Sequence, residues 1–200
     1  MFPKKQKIFP PFPKIFNLES ASEDQKNLFQ SDGLKIINRG EAAVLTFAGG
    51  QGTRLGVSYP KGMYDIGLIS HKSLFQIFAE RLIRLKNIAG PDTPPIPWLI
   101  RVNWETYDIM MNFFDTNNYF GLDKNQVFFF KQDMLPAIDF EGKIIMNEKD
   151  KICMAPNGNG GVYEGLLKAK ALDWLESKGV RFVHVCGIDN VLVEFLIPFF

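Results

Sequence analysis

The residues best suited to chemistry gather in one stretch, Ala48–Gly56, which reads AGGQGTRLG and directly follows the apolar run Ala42–Phe47. Gly49, Gly50 and Gly52 carry no Cβ, so the backbone there can turn tightly and approach a ligand closely. Successive backbone N–H groups in such a turn form a concavity that binds anions. Arg54 and Lys61 add two positive charges within reach of the loop, which suits a polyphosphate. A glycine turn with no such cations would read more simply as a strand-to-helix connection. Two common nucleotide motifs are excluded. No Lys-Ser or Lys-Thr pair follows these glycines, as a P-loop demands, and Gly50, Gly52 and Gly56 give GxGxxxG rather than the GxGxxG of a dinucleotide fold.

Other candidates lie far from this loop in sequence. Asp189 ends the apolar run Val180–Ile188 and precedes Asn190. An aspartate there can cap the next turn, or supply the hard oxygen that Mg²⁺ takes together with phosphate oxygens. Lys61 follows Pro60 and reads either as a phosphate cation or as a solvated surface lysine. Asn157-Gly158-Asn159-Gly160-Gly161 holds two Asn-Gly pairs, ordinary turn formers that also suit a ligand loop at a helix N-terminus. Gln132, after FFFK, reads by itself as an exposed strand end. His71 and His184 lack the spacing and partners of a metal site or catalytic triad, and His184, between Val183 and Val185, reads as a packed strand residue. Asp65 is near enough to the loop to order Lys61.

The elements that must position these residues follow from periodicity. Ala42–Phe47 is nearly all apolar and stopped by glycines, as a strand buried on both faces of a parallel sheet would be. Leu74, Ile77, Phe78, Leu82 and Leu85 recur at helical spacing, with Ser73 as N-cap and Gly90-Pro91 as the stop. Trp98–Val102 predicts the next strand, 105–117 a helix, and 127–130 a third strand. Residues 138–145 predict a hairpin turning at Glu141-Gly142. Residues 161–177 predict one helix ending near Gly179, and Val180–Ile188 a fourth main strand. Strand alternating with helix in this way predicts an α/β fold with an open, mostly parallel sheet over 41–200. Residues 1–40 read as an N-terminal extension. Pro10, Pro11 and Pro13 favour extended chain. The Ser20–Glu23 spacing predicts a short helix near 23–30 that ends at Gly33.

Composition narrows the class further. Apolar residues make up 46% and charged residues 22%, a globular balance, and nineteen Phe predict a bulky core. A net charge of +1 gives no broad field to recruit nucleic acid or an anionic membrane, so a phosphate ligand must be held locally. Cys153 and Cys186 are expected to be reduced, buried thiols. Prolines interrupt the N-terminal apolar residues, and no run approaches the ~20 apolar residues that span a bilayer. A soluble, cytoplasmic protein is therefore expected. The sequence stops at Phe200 within VLVEFLIPFF, and we expect it to be truncated inside its domain.

Ala48–Gln76, reading AGGQGTRLGVSYPKGMYDIGLISHKSLFQ, closely resembles the signature of eukaryotic-type UDP-N-acetylglucosamine (UDP-N-acetylhexosamine) pyrophosphorylases. Phe130-Lys131-Gln132, Ala155–Tyr163 (APNGNGGVY) and His184–Asn190 (HVCGIDN) resemble that family in the same order, so the resemblance runs from about Glu41 to the end. UDP-glucose pyrophosphorylases carry a related GGxGTxMG loop, whereas Arg54-Leu55-Gly56 here favours the N-acetylhexosamine branch. The resemblance implies a Rossmann-like, GT-A-like nucleotidyltransferase fold and a uridylyltransferase. It would join UTP to N-acetylglucosamine 1-phosphate with Mg²⁺ or Mn²⁺ and release pyrophosphate. It further implies that Phe47, Ala48, Gly49 and Gly50 hold the uridine and the first phosphate. Arg54 and Lys61 would grip the phosphates, Gln132 and Gly158 the uracil, Asn159 the sugar and Asp189 the metal. Phe47 and Asn157 stand where the family more often has Leu and Asp, Ile69 replaces a common Pro, and family members are much longer. Two alternatives stay open: a UDP-glucose or broad UDP-sugar pyrophosphorylase, and a truncated, non-catalytic module that binds uridine nucleotides.

Overall fold

The computed structural model describes residues 20–196; the extended stretch expected around Pro10, Pro11 and Pro13, and the end at Phe200, lie outside the described residues. In chain order the elements are α1 (Glu23–Asn38), β1 (Ala42–Phe47), α2 (Leu74–Ala89), β2 (Trp98–Val102), α3 (Tyr107–Thr116) and β3 (Val127–Lys131). Then come β4 (Met134–Pro136), β5 (Met146–Glu148), β6 (Lys151–Ile152), β7 (Met154–Pro156), α4 (Val162–Lys168), α5 (Ala171–Ser177) and β8 (Phe182–Gly187). The main sheet has the order β3-β2-β1-β8 and is parallel throughout.

Period-two alternation sorts the strand side chains onto two faces. Ala42, Val44, Trp98, Ile100 and Val102 point to one side, where α2 buries Leu74, Phe75, Phe78, Ala79 and Leu82 and α3 adds Met110 and Phe114. Edge-to-face aromatic packing knits this side together, with Phe75 and Phe114 ring centres 5.0 Å apart and Trp98 6.1 Å from Phe75. Ala43, Leu45, Leu99 and Phe130 point to the other side, against Val162 of α4 and Ala171 and Leu175 of α5. The chain winds outward from β1 through β2 to β3, then returns to lay β8 on the opposite edge of β1. The gap between β1 and β8 is therefore a switch point, where open α/β sheets bind ligands beyond the strands' carboxyl ends.

The expected strands and α2 match closely, including Ser73 Oγ accepting from Gln76 N–H at 3.2 Å. Three boundaries differ. The cap of α1 is Ser22, which forms a reciprocal box with Gln25, rather than Ser20 paired with Glu23. Gly33 does not end that helix. It is buried inside it, and the helix continues because Ile37 and its neighbours Leu34 and Ile36 pack on the core, outweighing a glycine cost of about 1 kcal/mol. The single helix expected over 161–177 breaks at Lys170 (φ 55°) into α4 and α5, and the break lets both Val162 and Ala171 reach the sheet. The hairpin turning at Gly142 is present, with Ile138 bridging Ile144 and the Asp139 carboxylate accepting from the Glu141 and Lys143 N–H groups. No helix among the described residues is long and apolar enough to cross a membrane.

Candidate functional site

Because the four main strands run parallel, the residues that follow them emerge at the same end of the sheet. Those residues are Ala48 after β1, Asn103 after β2, Gln132 after β3 and Asp189 just beyond β8. Backbone bonds tie these exits together. Ala48 N–H donates to the Arg101 carbonyl (2.8 Å), Gln132 N–H to that of Val102 (2.6 Å) and Ile188 N–H to that of Phe47 (3.0 Å).

The glycine loop is folded back on itself. Gly52 N–H donates to the Tyr59 carbonyl and Lys61 N–H to that of Gly50, and Gln51 bridges Pro60. This clasp lays the Lys61 stem along Gly50, where a Cβ would stand 3.5 Å from Cδ. The Lys61 ammonium reaches across to β8 and pairs with Asp189 Oδ2 at 3.2 Å; the Lys61 side chain is 23% exposed and that of Asp189 65%. A Cβ on Gly187 would stand 2.7 Å from Asp189 Oδ1, so glycine there leaves the carboxylate its room. The sequence-derived phosphate cation and metal carboxylate, 128 residues apart, thus meet at the switch point.

A second group lies beside the loop. A Cβ on Gly49 would come within 3.1 Å of Gln132 Oε1 and 3.3 Å of the Asn103 nitrogen, so backbone and amide approach closely here and a side chain would crowd both. Gln132 Nε2 donates to the Gly158 carbonyl at 3.3 Å. Phe47, Ala48, Gly49, Gly50, Lys61, Gln132, Gly158 and Asp189 therefore sit at one end of the sheet. Phe47 and Asn159 line a mostly apolar groove of about 470 Å³ beside β8, so the Phe47 ring packs low against Leu45 and Val162. The backbone of Arg54 lies in the 3-10 turn at 52–55, and its side chain lies outside the described residues.

Some expectations need correcting. Asp65 does not order Lys61: its carboxylate accepts from Gly67 N–H (2.8 Å) and meets His71 Nδ1 (3.0 Å), which holds its pKa low. Both cysteines are free, but only Cys186 is buried, and burial raises its thiol pKa; Cys153 is half-buried. His184 is the packed strand residue expected, with burial lowering its pKa. Among the described residues no cluster of three or more His, Cys, Asp or Glu could hold a metal unaided.

Two site-building residues escaped the sequence reading. The Asn103 amide donates to the Gly49 carbonyl at 2.9 Å, while its Oδ1 accepts from Thr106 N–H at 2.7 Å, pinning the glycine loop to the start of α3. Arg101 is 2% exposed and donates from Nη2 to Asn157 Oδ1 (2.9 Å) and the Gly158 carbonyl (2.7 Å). Burial lowers its pKa, with the Asp133 charge acting the other way. The missed signal is a charged residue inside WLIRV, an otherwise apolar strand that the structure buries along its whole length.

The parallel sheet and the loop-bearing switch point define an open α/β domain of the nucleotidyltransferase kind. Residues 9–196 match the family described as UTP–glucose-1-phosphate uridylyltransferase, and the chain belongs to that family. It is 41% identical over 198 residues to the probable UDP-N-acetylglucosamine pyrophosphorylase of Dictyostelium discoideum, covering 94% of this chain and 41% of that protein. It is likewise 41% identical over 194 residues to the UDP-N-acetylglucosamine pyrophosphorylase of Saccharomyces cerevisiae, covering 96% and 41%. The crystal structure of a putative UDP-N-acetylglucosamine pyrophosphorylase from Entamoeba histolytica superposes with a TM-score of 0.79 at 38% identity, covering 86% of this chain and 44% of that one. The chain thus spans well under half the length of the relatives it matches.

Proposed function

We propose that the protein is the nucleotide-binding part of a uridylyltransferase that converts UTP and N-acetylglucosamine 1-phosphate into UDP-N-acetylglucosamine and pyrophosphate. The observation that carries this reading is the meeting of the glycine loop, Lys61 and Asp189 at the switch point, with Gln132 and Gly158 alongside. A phosphate oxygen of the sugar 1-phosphate attacks the α-phosphorus of UTP. The new P–O bond forms as the bond to the β-phosphate bridging oxygen breaks, and pyrophosphate leaves in line. A phosphate dianion is already a nucleophile, so no general base is required and catalysis is positioning plus charge neutralisation.

In this reading Phe47, Ala48, Gly49 and Gly50 carry the uridine and the first phosphate. Gln132 and Gly158 face the uracil, and Asn159 the sugar. Lys61 and Arg54 offset charge on the α-phosphate and the leaving pyrophosphate. The donor set suits Mg²⁺ or Mn²⁺: one well-exposed carboxylate, Asp189, leaves the remaining positions to phosphate oxygens and water, as Mg²⁺ prefers. When bound, such an ion would supply further neutralisation of phosphate charge. Asp189 would hold it, and the Lys61 ammonium beside that carboxylate would serve the phosphates directly. We assign the protein to the cytoplasm, with no nucleic-acid or membrane partner.

The test is pyrophosphate release from UTP and Mg²⁺ offered with N-acetylglucosamine, N-acetylgalactosamine or glucose 1-phosphate, alongside calorimetry with UTP. Preference for glucose 1-phosphate would favour the UDP-glucose reading, and UTP binding without turnover even when these residues are carried in a chain of the relatives' full length would favour the binding-module reading. A protein that neither binds UTP nor releases pyrophosphate would sink the proposal.

A further inference from the structure

Arg101 stands near the end of β2 on the face it shares with Leu99, and its side chain is buried beside Phe47, whose ring centre lies 5.4 Å from the guanidinium carbon. A buried guanidinium is ordinarily paired with a carboxylate, yet among the described residues none lies within ion-pair distance of Arg101. Its donors go instead to one turn. Nη2 donates to Asn157 Oδ1 and the Gly158 carbonyl, Nη1 reaches the Asn159 carbonyl at a long 3.5 Å, and Nε has no partner.

That turn needs an external brace. Three of its five residues, 157–161, are glycine, and Gly158 holds φ 71° and ψ −174°, a conformation open essentially to glycine alone. Its backbone tie to the rest of the chain on the β3 side is Asn157 N–H donating to the Asp133 carbonyl at 3.1 Å. The Gly158 carbonyl that Arg101 holds is also the acceptor for Gln132 Nε2, so one oxygen fixes both the turn and the Gln132 amide. With Nε2 committed there, Gln132 Oε1 is the atom left beside Gly49.

We infer that Arg101 is a positioning residue for nucleotide recognition: it braces the Asn157–Asn159 turn and, through the Gly158 carbonyl, sets the orientation of Gln132 towards the glycine loop. The inference rests on the nucleotide reading of this site. A planar guanidinium suits this place, because Nη2 serves a side-chain oxygen and a backbone oxygen, Nη1 faces the Asn159 carbonyl, and the flat group lies over the Phe47 ring.

The test compares Arg101→Met, a long apolar side chain that preserves strand packing, with Arg101→Lys, which keeps the charge but loses the fork. Amide hydrogen exchange over 154–161 reads the turn without any ligand, and calorimetry with UTP reads the site. Exchange over 154–161 should quicken at least tenfold in Arg101→Met while 42–47 and 98–102 stay protected. UTP affinity should fall at least tenfold, and Arg101→Lys should recover only a small part of it. Gln132→Leu should cost affinity in the parent chain and little more in the Arg101→Met background, because the amide has already lost its orientation. Unchanged exchange over 154–161, or additive losses for Arg101 and Gln132, would overturn the inference. If Arg101→Met loosens the whole sheet, Arg101→Lys carries the same comparison. If the parent chain does not bind UTP, the nucleotide reading fails, and so does the role in recognition, whatever the exchange shows of the brace.

Discussion

Replacing Lys61 by Met separates a phosphate role from a structural one, because the two predict effects of very different size. The Lys61–Asp189 pair is 3.2 Å long but partly solvated, with side-chain exposures of 23% and 65%. Pairs of that kind contribute about 0.2–1 kcal/mol, and a loss of 1 kcal/mol lowers Tm by roughly 2–4 °C in a domain of this size. Methionine keeps an unbranched stem along Gly50, and Asp189 is exposed enough to stand unpaired. The fold should therefore survive with Tm lowered by no more than about 4 °C. Loss of a charge-assisted contact to a phosphate costs about 1.5–3 kcal/mol of binding, a ten- to hundredfold weaker UTP affinity. Loss of a transition-state contact typically costs on the order of 10²–10³ in rate. Calorimetry with UTP, pyrophosphate release in a chain of the relatives' full length, and scanning calorimetry measure all three. Near-normal affinity and turnover would make Lys61 a surface lysine, and a Tm fall far beyond 4 °C would make it a structural one.

Three further perturbations read other parts of the site. Asp189→Asn keeps the side-chain shape but removes the charge proposed to hold a divalent ion, so titration of activity with Mg²⁺ should shift to higher concentration; an unchanged curve would put the metal elsewhere. Gly158→Ala meets open space but a backbone conformation costing on the order of 1–3 kcal/mol, so UTP affinity should drop while urea unfolding changes little, the strain being relieved by opening the exposed turn. His184, half-buried with the Phe195 ring edge-on at 6.1 Å, has its pKa lowered by burial. The unfolded chain binds that proton more readily, so His184 lowers stability as pH falls below its unfolded value of about 6.5 towards the folded one. Urea midpoints at pH 7.5 and 5.5 should differ less in His184→Gln; an equal difference would assign the slope to other groups.

Much of the fold was legible because its signals are local. AAVLTF is nearly all apolar without alternation, as a strand covered on both faces is, WLIRV departs from that pattern at Arg101 alone, and Ser73 with the period of Leu74–Leu82 marks α2 directly. The break at Lys170 was not legible, since Val162–Ser177 keeps helical periodicity across it and the kink serves only to bring Val162 and Ala171 both onto the sheet. Gly33 misled because the packing of Ile37 outweighs a local propensity. In the site, the glycine loop announces itself by composition. That Lys61 meets Asp189 does not, because the contact depends on strand order. Arg101 was invisible for a related reason: its partners, Asn157 and Gly158, are brought over β2 only by the crossover from β3 to β8.

The chain as it stands should bind UTP weakly and make little or no UDP-sugar. The glycine loop, Lys61, Gln132, Gly158 and Asp189 supply the nucleotide half of the proposed site, whereas Asn159 alone among the described candidates is assigned to the sugar. The Dictyostelium relative extends well beyond the 41% of its length matched here. A mechanism without a general base depends on holding two phosphates in line, and such positioning can contribute about 7–11 kcal/mol; half a site supplies little of it. The sheet points the same way. A strand in a parallel sheet is normally covered on both faces, yet Val183 and Val185 of β8 are 40% and 51% exposed, in a groove they share with exposed Tyr163 and Leu172. An apolar face of that kind promotes self-association, so light scattering on the purified chain should rise with concentration. Calorimetry should find UTP binding, and the pyrophosphate assay should stay near background. Vigorous turnover by these 200 residues would show that the sugar is held by residues already in hand, and the division of the site into two halves would have to be abandoned.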